Sequence, residues 1–121
     1  MAQEGKHAGR NREGVVSKFL ERVRDLIRAG DVRISEHGYD ELAEDGLMAR
    51  EVLTGVQDAE VVEEYLNYPK GPCVLVLQKS RMGEPIHVVW GIPKGHEKPV
   101  VLVTAYSPDP ERWDKTFTRR R

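Results

Sequence analysis

Cysteine occurs once in the 121 residues, at Cys73, so no internal disulfide can form. No CxxC and no Cys/His pair at zinc spacing is present to hold a structural metal. Long hydrophobic runs are missing as well: no stretch of 18 apolar residues occurs, and nothing reads as a membrane span. The opening residues, MAQEGKHAGRNREG, carry charges without the apolar stretch of a secretory signal. These absences together predict a cytoplasmic protein that has no membrane partner. Net charge is also small, at −1, and by itself points to no nucleic-acid partner. Internal repeats and low-complexity segments are lacking.

A hydrophobic content of 39% and seven prolines scattered singly describe a globular chain, long enough for one core and too short for two. Its charge is unevenly spread. Residues 1–30 hold seven Lys/Arg against four Asp/Glu, residues 36–68 one against ten, and residues 70–121 ten against five. Opposite-signed regions can offer a positive face to a phosphate backbone, or can simply be solvated surface.

Residues 1–14 are polar and without period, which predicts a disordered tail. From Val15 to Ala29, Val16, Phe19, Leu20, Val23, Leu26 and Ile27 form one helical stripe, and Gly30 supplies the stop. Val32 to Ile34 can be a short extended entry. Ser35 is a good N-cap for a helix over Glu36 to about Asp45, and a short helix is expected at Ala49–Thr54. After Gln57 the period changes to that of strands: "AEVVEEYLNY", "CVLVLQKS", "PIHVVWGI" and "VVLVTAYSP". Their short connections favour an antiparallel meander. The expected fold is α+β, with N-terminal helices on one face of a four-stranded antiparallel sheet, a domain over residues 15–113 and a basic tail at 114–121.

His87 interrupts the apolar run of the third strand. Ile86, Val88 and Trp90 alternate away from it and are expected to face the helices, together with Val101, Val103 and Ala105. Thr104 and Tyr106 then share the open face with His87, and Lys79 and Arg81 arrive from the end of the second strand. An imidazole, a hydroxyl, a phenol and two cations on one surface suit a general acid or base beside anion-stabilising groups. The plainer alternative is a structural histidine satisfied by a neighbour, and a register slip of one residue would bury it. His37, in the first turn of its helix, is a second potential base, or a surface histidine paired loosely with Glu41.

The segments "ISEHGYDEL", "EVLTGVQDAEVVEEY", "GPCVLVLQKSRMGEPIHVVWGI" and "VVLVTAYSPDPERW" resemble a bacterial and archaeal family known as a domain of unknown function. The shared features are a helix-borne histidine, a glycine–proline turn, a leucine-rich strand, a histidine strand and a closing T-x-Y-x-P-D-x-x-x-W segment, from about Val32 to Trp113. That family looks like a remote relative of RelE-type toxins and of the barnase, EndoU and colicin ribonucleases. The resemblance implies a toxin-like, metal-independent endoribonuclease needing no cofactor, with RNA as substrate and a zinc-ribbon antitoxin protein as partner. In that scheme the ribose 2′-hydroxyl attacks the adjacent phosphate. His87 or His37 is the base and the other the acid, Lys79 or Arg81 balances phosphorane charge, and Thr104 and Tyr106 position the phosphate. Unstacked bases of single-stranded RNA would lie on Tyr106 or Trp113. The rival is a non-catalytic interaction domain that uses the open sheet face to bind a protein.

Overall fold

A computed structural model describes residues 17–121; the tail expected over residues 1–14 and the first two residues of the expected N-terminal helix lie outside them. The elements run α1 (Lys18–Arg28), β1 (Val32–Ile34), α2 (Glu36–Glu44), α3 (Ala49–Gly55), a 3-10 turn (Val56–Asp58), β2 (Glu60–Tyr65), β3 (Cys73–Lys79), β4 (Pro85–Gly91) and β5 (Val100–Tyr106). No helix among the described residues is long and apolar enough to cross a membrane.

Side-chain caps fix where the helices begin. Ser17 Oγ accepts from the Leu20 amide at 3.0 Å and donates to the Glu64 carboxylate, which ties α1 to β2. Arg24, on the buried stripe of α1, donates to the carbonyls of Val56 and Ala59 at 2.9 and 3.0 Å and so anchors the 3-10 turn. Ser35 Oγ accepts from the Gly38 amide at 2.9 Å and donates to the Val103 carbonyl at 3.0 Å, joining the start of α2 to β5. Gly38 lies so close to β5 that a Cβ there would stand 2.8 Å from the Leu102 carbonyl oxygen.

The sheet has five strands in the order β1-β5-β4-β3-β2. β2 to β5 pair antiparallel in chain order, but β1 lies parallel to β5, with Val32 opposite Val100. The expected four-stranded antiparallel sheet is therefore a five-stranded mixed one. Three residues are too few to show a period, and the pairing of β1 is set by contacts distant in sequence.

One face of the sheet carries the main core. Phe19, Leu20, Val23, Leu42, Val52 and Val56 pack there against Val74, Val76, Ile86, Val88, Trp90, Val100, Leu102 and Ala105. On β5 this corrects the expected set: Val100 and Leu102 face the helices, not Val101 and Val103. The cause is a bulge, since Val89 pairs with Thr104 but the next residue, Trp90, pairs with Leu102. The skipped residue, Val103, stays 38% exposed, and Ala105 returns to the core. A second irregularity between Val61 and Glu63 shifts the phase of β2.

The opposite face is covered in part. Val62, Leu75 and Trp113 form a second core with Leu77, Val89 and Phe117. The segment after β5, with the basic stretch over residues 114–121, folds back across the sheet as a strap. The Asp114 carboxylate organises it by accepting from the amides of Thr116, Thr118 and Arg119 at 3.1–3.3 Å and from the Thr116 hydroxyl at 2.8 Å. Trp113 bridges to Arg120, Thr118 is 5% exposed, and Arg121 donates to the Pro110 carbonyl at 2.9 Å.

Candidate functional site

Strand register arranges the strap-side residues in rows that cross the sheet. Tyr65, Cys73, Gly91 and Val101 make one row, and Glu63, Leu75, Val89 and Thr104 the next. Leu77, His87 and Tyr106 follow, and Lys79 opposite Pro85 closes the set. His87, Thr104 and Tyr106 do share one face, as expected from alternation.

That face is not open at His87. Its side chain is wholly buried. Nε2 lies 2.7 Å from the Phe117 carbonyl oxygen, so Nε2 carries the proton and donates. Trp113 and Tyr106 meet the ring edge-on, with centroids at 4.5 and 5.5 Å. Nδ1 is buried without a hydrogen-bond partner. Burial pushes the imidazole below its ordinary pKa, the Phe117 carbonyl opposes that, and Arg120 adds to it. His87 is thus a neutral imidazole sealed under the strap.

The sequence candidates separate. His37 stands exposed on α2, 3.7 Å from the Glu41 carboxylate. Its helix packs through Leu42 into the helix-side core, whereas the ring and hydrogen-bond contacts of His87 all lie on the strap side. The two imidazoles make their contacts on opposite sides of the sheet, and no contact between them occurs among the described residues. Lys79 is exposed one row beyond His87, and Arg81 sits in the β3–β4 turn, where its amide donates to Glu51 at 3.1 Å. Thr104 is half-buried and lines an apolar cavity. Tyr106 is half-buried against His87, and its hydroxyl pKa is raised chiefly by burial. Trp113 is 4% exposed, with the Arg120 guanidinium 4.7 Å above its ring, which leaves no open face for a base.

A different set gathers at the solvent edge of the strap. Arg120 donates from Nε and a terminal nitrogen to both oxygens of Glu63, each at 3.0 Å. The Tyr65 hydroxyl donates to the same carboxylate. Arg120 holds the Glu63 carboxyl below the ordinary carboxylate range against the opposing effect of burial, and Glu63 in turn raises the Arg120 pKa. Burial, then Glu63, raises the Tyr65 pKa. An anionic acceptor, a fixed cation and a phenol proton are therefore in contact, with the Arg120 side chain 62% and the Glu63 side chain 32% exposed. Sequence reasoning missed all three. Glu63 and Tyr65 are two apart on a strand and so share a face, a signal present in the spacing; Arg120 lies in a stretch without period.

The architecture defines an α+β protein whose helices cover one sheet face, and whose other face carries a carboxylate–guanidinium–phenol cluster beside a sealed histidine. Residues 34–107 match the family model described as Domain of unknown function (DUF4258), and the chain belongs to that family. The match contains Glu63, Tyr65, His87 and Tyr106, while α1 and the strap lie outside it. No curated protein and no solved structure matches the chain.

Proposed function

We propose that this protein is a toxin-like endoribonuclease that cleaves single-stranded RNA without a metal, and that its reactive groups are Glu63, Arg120 and Tyr65. The observation that carries the reading is the Glu63 carboxylate, gripped through both oxygens by Arg120 and contacted by the Tyr65 hydroxyl at an exposed edge of the sheet. Glu63 takes the proton of the ribose 2′-hydroxyl as its oxygen attacks the adjacent phosphorus. Arg120 balances the charge that builds on the phosphorane oxygens. As the phosphorus–5′-oxygen bond breaks, Tyr65 gives its proton to the leaving oxygen and recovers one from Glu63 along their hydrogen bond. The products are a 2′,3′-cyclic phosphate and a free 5′-hydroxyl. His87 is a positioning residue here, because its Nε2–H holds the strap that carries Arg120.

Two observations favour a non-catalytic interaction domain instead. The imidazole is sealed and the Glu63 charge is already neutralised within the chain, as in a salt bridge that only pins the strap. Incubation with single-stranded RNA and EDTA decides between the two. The ribonuclease reading expects cleavage that survives chelation and yields 2′,3′-cyclic phosphate ends, and a loss of roughly a hundredfold or more in Glu63→Gln. Ends bearing 5′-phosphate, or full activity in Glu63→Gln, overturn the assignment. In cells the same reading expects growth arrest on induction without a zinc-ribbon antitoxin partner.

A further inference from the structure

Beside the Glu63 row the strap leaves part of the sheet uncovered. A cavity of about 480 Å³ opens there, with Tyr68, Lys70, Cys73, Val89, Val103 and Thr104 among its walls. Gly91 makes room for it: a Cβ at that position would meet Cys73 and Val103 side-chain carbons at 3.4 Å. The far wall is preformed. Gly71 packs so tightly that a Cβ would stand 2.1 Å from the Ile92 carbonyl oxygen, and backbone bonds join Ile92 to Pro72 and Lys94 to Lys70 at 3.0 Å.

We propose that this cavity binds one unstacked nucleobase of an RNA strand, with Tyr68 as the stacking surface and Lys70 and Lys94 contacting the flanking phosphates; the inference rests on the ribonuclease reading and adds a base-binding subsite to it. Three observations favour a base over another occupant. The walls are apolar with a hydroxyl at Thr104, which suits a flat ring having polar edges. Tyr68, on the cavity wall, is 53% exposed, and every base can stack on an aromatic surface of that kind. No carboxylate lines the cavity, while Lys70 stands on its wall and Lys94 is held against Lys70, so its charge complements a phosphate chain. Val89 on its wall stands in the Glu63 row two strands away, about 10 Å across the sheet, so the RNA runs across the strands from the bound base to the carboxylate.

Cys73 is the only cysteine and lines the cavity, which allows occupancy to be read without turnover. The experiment measures the rate at which N-ethylmaleimide alkylates Cys73, with AMP, GMP, CMP, UMP, a short single-stranded RNA or ribose 5-phosphate present. Saturable protection by the RNA and at least one nucleotide, but none by ribose 5-phosphate, is expected. Tyr68→Ala should weaken that protection about fivefold or more. Gly91→Leu, which fills the cavity, should abolish nucleotide binding measured by calorimetry, with circular dichroism confirming the fold of both variants. Equal protection by ribose 5-phosphate, or none from nucleotides or RNA, overturns the proposal. Protection without cleavage keeps this site and removes the ribonuclease reading; cleavage without protection does the reverse.

Discussion

His87 makes one hydrogen bond, to the Phe117 carbonyl, and keeps Nδ1 dry. A second proton would have to sit on that dry nitrogen, which is why burial lowers the pKa. The unfolded chain titrates this imidazole near about pH 6.5. Between that value and the depressed folded value the unfolded state binds more protons, so stability falls as pH drops below about 6.5. Thermal melts from pH 8 to 5 should show that fall, and His87→Gln should flatten it. Glu63, depressed mainly by Arg120, adds a second loss at lower pH, as acid reaches the carboxylate range near about 4.3. His87→Ala leaves the Phe117 carbonyl unpaired and removes two edge-on ring contacts. It should cost on the order of 1–3 kcal/mol in urea unfolding. Unchanged stability would mean the strap does not lean on the imidazole.

Among the elements, the strap joins a buried anchor to an exposed latch. Trp113 is 4% exposed within the second core, so Trp113→Ala should cost roughly 3–5 kcal/mol. Arg120 and Glu63 are partly solvated, so Arg120→Ala should cost only about 0.2–1 kcal/mol in stability while removing cleavage. Comparable losses of stability in the two variants would make the latch structural. The contact between α2 and β5 is tighter: Gly38→Ala sets a methyl 2.8 Å from a backbone oxygen and should destabilise by about 1–3 kcal/mol, read from chemical denaturation. These elements also show where periodicity speaks and where it stops. The stripe of α1 and the alternation of Ile86, Val88 and Trp90 could be read because each repeats several times within one element. The faces of β5 could not, because the bulge at Val103 reverses the phase partway along. The strap shows no period: its order comes from Asp114 and from long-range packing on Val62 and Leu75. Arg120 therefore could not be matched to Glu63 from sequence, although Glu63 and Tyr65 could have been paired by spacing.

Across the whole molecule, net charge hides the division between an acidic segment, residues 36–68, and a basic remainder. RNA binding should weaken with added salt. Lys70→Ala and Lys94→Ala, which each take one cation away from the phosphate chain, should each lower the slope of log affinity against log salt by about 0.7. Fluorescence titration against oligonucleotides at several salt concentrations measures it, and a salt-independent affinity would place binding elsewhere. The two tryptophans divide in the same manner, one to each side of the sheet: Trp90 among the helices and Trp113 under the strap. Each is thus a built-in optical label for a different layer. In Trp90→Phe, emission comes from the indole that touches His87 and Arg120, and its wavelength reports whether that layer is dry. In Trp113→Phe it comes from the indole whose Nε1 donates to Gln78 at 3.0 Å, and follows the main core alone. Loosening of the strap and melting of the fold can therefore be followed as two separate signals in one chain.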